Sequence, residues 1–170
     1  DDFPGATVAP WVQRPESIGY IRAKSADPFE APAIQPNYFS HETDRRLSIA
    51  GMKLARDLMQ TPEFSPHVEC EELPGKDVHT EDEMLAYYRQ NATTTFHLMG
   101  TCRMGPDSDP TAVVDDQLRV RGIEGLRVAD ASIMPTMPSA NTNASTIMIG
   151  EKCADFIKGR QLESVNLEGK

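Results

Sequence analysis

The chain is poor in cysteine, has no long apolar run and carries no excess of basic charge, and each shortfall excludes a class of protein. Cys70, Cys102 and Cys153 are the only cysteines among 170 residues, and no two of them form a CxxC pair. Neither a disulfide framework nor a metal site of zinc type is expected, and the thiols fit a reducing, cytoplasmic compartment. No apolar stretch approaches the ~20 residues that a membrane helix needs. The first residues, DDFPGATVAP, lack a basic segment leading into an apolar core, so no signal peptide is expected there. Lys and Arg number 17 against 26 Asp and Glu, a formal charge of -9 spread along the chain. That balance argues against nucleic acid or an anionic membrane as the main partner and leaves a neutral or cationic small molecule open.

What is present divides by punctuation. Six prolines among the first 38 residues exclude long helices and leave short extended pieces at SIGYIRAKS (17–25) and PAIQP (32–36), read as sheet strands. From Ser40, placed to cap, Leu47, Ala50, Leu54 and Leu58 recur at helical spacing and predict a helix ending near Thr61-Pro62. A second helix is signalled by Thr80 and Glu83, which form a capping box before Met84, Tyr87 and Tyr88, and it closes by Asn91. Further on come a loop at 105–112, a short strand around Leu118 to Val120, a turn at GIEG (122–125) and the run LRVADASIMP (126–135). A last helix spans 144–160 with Ile147, Gly150, Ala154 and Ile157 as its stripe and Asn143 or Ser145 as its cap. The tail after Arg160 is expected to fray.

The segment FHLMGTCRMG (96–105) has neither helical nor strand periodicity, yet it packs His97, Thr101, Cys102 and Arg103 among glycines and methionines. Irregular backbone dense in polar and sulfur side chains is more often a site than scaffold. Taken singly, each residue has a plainer reading. His97 can be a satisfied structural histidine, Cys102 a small packing residue and Asp130 a turn former. The run NTNAST (141–146) can be a polar loop ending in a cap. A thiol nucleophile or metal hydrolase built on Cys102 and His97 is a rival, although no oxyanion-hole signature or orienting carboxylate accompanies the pair.

In order and spacing, HLMGTCRMG (97–105), VVDDQLRVRGIEGLRVADASIMP (113–135) and NTNASTIMIGEKCAD (141–155) resemble the C-terminal part of the glucose-methanol-choline (GMC) flavin oxidoreductases. The segment 14–40 resembles the same family's substrate-domain strands. The branch it is most similar to is that of the choline dehydrogenase-like alcohol dehydrogenases, which favour His followed by Asn over the two histidines of glucose oxidase. The resemblance implies an α+β fold: a mostly antiparallel substrate-domain sheet flanked by helices, plus a C-terminal strand and helix that complete an FAD-binding domain. It implies a substrate-binding domain over 1–125, a segment completing the FAD domain over 126–160, and a tail at 161–170. No GxGxxG turn exists in the chain, so the expectation is the C-terminal portion of a larger enzyme, inactive by itself, whose missing partner is the N-terminal FAD-binding half.

The activity implied is oxidation of a primary alcohol, choline-like or other, to the aldehyde by hydride transfer to FAD. By resemblance His97 is the base and Asn141, forty-four residues on, holds the alcohol oxygen. Thr142 and Asn143 contact the flavin largely through backbone, and Asp130 and Ala131 lie near the ribityl-pyrophosphate portion, with Asp130 an acceptor or cap. Arg103 and Met104 support His97 from behind. The electron acceptor is open, no metal is implied, and peripheral membrane association is left open for the full-length enzyme. A non-catalytic binding or interaction module derived from such an enzyme is the alternative, since fold alone does not fix function.

Overall fold

A computed structural model describes residues 4–160; the tail after Arg160 lies outside the described residues. The chain divides into two compact units, Asp1–Thr94 and Thr95–Lys170. Among the described residues, three α-helices and a two-stranded antiparallel sheet are the elements of an α+β protein. Among the described residues no helix is long and apolar enough to cross a membrane.

In the first unit, β1 (Tyr20–Arg22) pairs antiparallel with β2 (Ala33–Gln35), with Ile21 opposite Ile34. Both strands fall inside the stretches whose proline punctuation leaves only short extended pieces. The helix α1 (Glu42–Met59) is capped by His41, whose Nδ1 accepts from the Thr43 N–H at 3.3 Å. Ser40 lies one residue too early for that role. The helix α2 (Glu81–Asn91) carries the predicted capping box: the Thr80 hydroxyl accepts from Glu83 N, while Glu83 Oε2 accepts from Thr80 N at 2.8 Å.

The buried face of α1 is not the leucine stripe. Leu47, Leu54 and Leu58 are exposed, and Asp44, Ser48, Ile49 and Met52 face inward. Ile49 and Met52 form a cluster with Met84 of α2, against which Tyr87 and Tyr88 pack. Of the polar members, Asp44 is inside because its side chain has partners far along the chain. The Tyr88 hydroxyl donates to the Ser48 carbonyl at 3.0 Å, and Asp44 accepts from the backbone N–H of Glu16 at 2.9 Å and of Ser17 at 2.8 Å. Arg56 joins this unit differently, donating to Glu71 at 3.0 Å and to the Val78 carbonyl at 2.7 Å, which fastens the long connection onto α1.

Asp44 yields a stability prediction. Burial pushes its carboxyl up, but hydrogen bonds from Ser17 and Glu16, together with nearby His41, outweigh that and hold it below the usual carboxylate range. A depressed folded-state value means that the stabilisation is present above the unfolded carboxylate range and is lost as pH falls through the folded value. Asp44→Ala removes a charged acceptor and leaves two N–H groups unpaired, an expected loss of about 2–3 kcal/mol near neutrality that shrinks in acid. Urea unfolding of parent and variant at the two pH values checks this; an equal difference at both would remove the carboxylate from the account.

The second unit is built around Val114, Leu118, Ile133, Met134, Ile149 and Cys153. Its helix α3 (Asn143–Lys158) buries Ile149 and Cys153, with Phe156 packed beside them, and ends on Gly159. The predicted stripe through Ile147 and Ile157 is exposed instead. With Ile147, Met148 and Ile149 consecutive, two apolar stripes are available on this helix, and packing against the core selects the one at 149, 153 and 156. The expected short strand around Leu118 to Val120 and the C-terminal strand expected before Asp130 are reduced to isolated bridges, Val114 with Val120 and Arg119 with Arg127. Leu118 sits at φ +64, which breaks extended pairing. After Arg127 the chain enters a short 3-10 turn, Ala131–Ile133, in which Asp130 Oδ1 accepts from Ser132 N at 2.8 Å.

Candidate functional site

The segment 97–105 is irregular because its hydrogen bonds go to a neighbour that is not a strand. Gly100, Cys102 and Met104 donate their N–H groups to the carbonyls of Ala131, Ser132 and Ile133 at 3.3, 2.9 and 2.7 Å. The alternate N–H groups of an extended piece are thus laid along the 3-10 turn that Asp130 caps. The glycines permit the approach. Gly100 has φ +82, and a Cβ there would lie 3.4 Å from the Met134 carbonyl oxygen. A Cβ on Gly105 would stand 2.9 Å from that of Ala112.

Arg103 and Met104 hold this backbone from behind. The Arg103 guanidinium is paired with Asp109 and donates to the Thr111 hydroxyl at 2.6 Å, and the Arg103 carbonyl accepts from Val113 N at 2.9 Å. Hydrogen bonds from Thr111, and then Arg103, hold the Asp109 carboxyl below the usual range. Met104 packs against the core cluster. Arg121 completes the staple, donating to the Gly105 carbonyl at 2.8 Å and to Asp107 at 2.6 Å. Cys102 is half-buried, and among the described residues no group of His, Cys, Asp and Glu side chains is gathered to hold a metal ion.

At the head of this segment stands His97, half-buried, with both ring nitrogens engaged. Its Nε2 lies 2.8 Å from Asn141 Nδ2, across forty-four residues of sequence, and its Nδ1 lies 3.2 Å from Thr142 Oγ1. Asn141 is exposed and Thr142 buried. Thr142 is also the N-cap of α3, yet no side chain caps that helix, neither Asn143 nor Ser145 taking the role. The start of α3, with the partial positive charge of a helix end, thus adjoins the His97–Asn141 pair. Asp130 and Ala131 lie on the 3-10 turn, and the Ala131 carbonyl is occupied by the N–H groups of Gly100 and Met134.

The structure thus brings His97, Asn141 and Thr142 into direct contact. What sequence reading missed is the Thr142 side chain. A threonine beside a helix start carries an ordinary signal, a cap, and its hydroxyl does something else here.

Comparison with known proteins follows the same segments. A family model described as GMC oxidoreductase matches residues 15–150. The chain is 48% identical over 147 residues to a mitochondrial choline dehydrogenase of Homo sapiens, covering 86% of this chain and 25% of that protein. It is 45% identical over 154 residues to an alcohol dehydrogenase (acceptor) of Pseudomonas putida, covering 91% and 27%. Among solved structures, a formate oxidase of Aspergillus oryzae RIB40, studied for its FAD modification, superposes with a TM-score of 0.76 at 35% identity, covering 84% of this chain and 25% of that one. The chain spans about a quarter of the length of the curated relatives it matches.

Proposed function

The chain belongs to the GMC oxidoreductase family, whose members are FAD-dependent, and from that premise we propose that it works as the C-terminal portion of a longer flavoenzyme oxidising a primary alcohol to the aldehyde. In this reading residues 1–125 serve the substrate side and 126–160 complete the cofactor domain. The observation that carries it is the contact of His97 Nε2 with the Asn141 amide at 2.8 Å. An imidazole nitrogen and an amide donor side by side are what an alcohol oxygen needs: one group to take its proton, one to hold the oxygen. The names of the relatives, choline dehydrogenase and alcohol dehydrogenase, support the substrate class.

His97 takes the hydroxyl proton at Nε2, and the resulting imidazolium then donates to the oxygen from which the proton came. A substrate hydroxyl seated beside both side chains donates to Nε2 and accepts from Asn141 Nδ2, replacing their direct contact. Asn141 cannot titrate, so its contribution is position and a hydrogen bond to the developing negative oxygen. FAD, when bound, supplies the acceptor for the hydride. On the chain's side, the uncapped start of α3 with Thr142 and Asn143 would hold one edge of that cofactor, and the turn at Asp130 and Ala131 would lie along its chain. The remaining contacts belong to a Gly-rich half that this sequence does not contain.

Anaerobic addition of choline and a short series of aliphatic, aryl and polyol alcohols to the full-length enzyme tests the proposal through the flavin absorbance. At least one alcohol is expected to bleach it; a flavin-loaded enzyme that none of them reduces would contradict the reading. The 170-residue chain alone, lacking a GxGxxG turn, is expected to bind FAD weakly, because such turns supply the pyrophosphate contacts. Stoichiometric flavin surviving gel filtration of the isolated chain would overturn that expectation.

A further inference from the structure

We infer that Thr142 is a positioning residue which fixes the tautomer of His97, placing the imidazole proton on Nδ1 and leaving Nε2 bare to act as base. The inference rests on the reading of His97 as base and assigns to the threonine side chain a role beyond any backbone contact. Its first support is hydrogen-bond logic. As the amide stands, Asn141 Nδ2 faces Nε2 at 2.8 Å and donates, so Nε2 accepts. A neutral imidazole carries one N–H, which then sits on Nδ1 and points at Thr142 Oγ1, 3.2 Å away. The opposite tautomer would set two donors against each other at Nε2.

The second support is what Thr142 forgoes. A threonine at an N-cap ordinarily has extended backbone and turns its hydroxyl onto the N–H of the second or third helical residue. Thr142 instead has φ -76 and ψ -12, helical values, and makes no capping bond. It is only 8% exposed, and a buried hydroxyl needs a partner; among the contacts described, that partner is His97 Nδ1. Its main chain is held as well. The Thr142 carbonyl accepts from Thr146 N at 2.9 Å and from Thr146 Oγ1 at 2.8 Å, while Ile149 and Cys153 pin the same helix to the core.

The arrangement has the logic of a base held by an orienting acceptor, with a neutral hydroxyl in the place where hydrolases use a carboxylate. Which imidazole nitrogen carries the proton is set by the hydrogen bond that the other one makes. With the hydroxyl in place, Nε2 is presented bare. Once Nε2 has taken the alcohol proton, the Nδ1–H bond to Thr142 becomes charge-assisted and stronger. Replacing Thr142 by valine, similar in shape but without an acceptor, leaves Nδ1–H without a partner; the exposed Asn141 amide can then turn its Oδ1 to Nε2 and the proton move there, where the ring cannot accept another.

The test reads the tautomer directly in the full-length holoenzyme. Nitrogen-15 magic-angle-spinning spectra of histidine-labelled enzyme, at a pH where the imidazole is neutral, are compared with those of Thr142→Val and Thr142→Ser; the His97 signals are identified by their loss in His97→Gln. The expected result is protonated Nδ1 in the parent and in Thr142→Ser, and a shift of the proton toward Nε2 in Thr142→Val. Flavin reduction at saturating alcohol should fall about 10- to 100-fold in Thr142→Val, with the half-saturating alcohol concentration little changed, and recover in Thr142→Ser. A parent enzyme with His97 protonated on Nε2 would overturn the inference without need of any variant, as would a Thr142→Val enzyme that keeps Nδ1–H. If His97→Gln abolishes reduction while either of these holds, the base assignment stands and only the role of Thr142 falls. If His97→Gln reduces flavin at the parent's rate, the base assignment itself falls.

Discussion

Replacing His97 by alanine in the full-length enzyme is expected to slow flavin reduction by about 10²- to 10⁴-fold, the usual worth of a positioned base, with flavin content unchanged. The second half of that statement follows from how the loop is held. The backbone bonds from Gly100, Cys102 and Met104 to the 131–133 turn, and the packing of Met104 in the core, do not involve the imidazole. Alanine therefore removes the imidazole and leaves the segment in place. It also strips the buried Thr142 hydroxyl of its partner, a cost of about 1–3 kcal/mol, so a modest fall in thermal midpoint should accompany the kinetic loss. Single-turnover reduction under anaerobic conditions separates the two effects. A variant that reduces flavin at the parent's rate would remove His97 from the chemistry.

Asn141→Ala is expected to slow the same step by about 10- to 10³-fold, comparable to or milder than losing one oxyanion-hole donor. Asn141 is exposed, so little change in stability should follow, and a large kinetic effect would then be chemical rather than structural. Asn141→His installs the two-imidazole arrangement implied for the other branch of the family. With both rings in one place, charging either disfavours charging the other. Reduction should survive with a displaced pH profile. Equal losses in Asn141→Ala and Asn141→His, with an unaltered profile, would mean that the residue is not beside the reacting oxygen.

Local signals carried the elements well, and long-range ones carried their faces poorly. The capping box of Thr80 and Glu83 spans three residues and is found where the sequence puts it, because both of its partners are local. The prolines likewise confine β1 and β2 to two short windows. The inward face of α1 was not legible in the same way. Hydropathy favours Leu47, Leu54 and Leu58, while Asp44 is inside on account of backbone N–H partners 27 and 28 residues away. On α3 two apolar stripes compete, and only the position of Val114, Ile133 and Met134 decides between them.

The site shows the same division. The order of HLMGTCRMG and NTNASTIMIG marks His97 and Asn141 as candidates, and the fold brings them to 2.8 Å. The hydroxyl of Thr142 was invisible as anything other than a backbone neighbour, since residue type and position both suggest a cap. Its departure from that role is written in φ and ψ and in the contact with Nδ1, neither of which sequence periodicity encodes.

The central claim is that His97 accepts the alcohol proton while Asn141 only holds the oxygen. Stopped-flow flavin reduction as a function of pH, for the full-length parent, His97→Ala and Asn141→Ala, tests it most directly. A protonated imidazole cannot act as base, so the parent rate should fall on the acid side, Asn141→Ala should keep that fall at a lower rate throughout, and His97→Ala should lose it. An acid fall that disappears in Asn141→Ala and persists in His97→Ala would contradict the account.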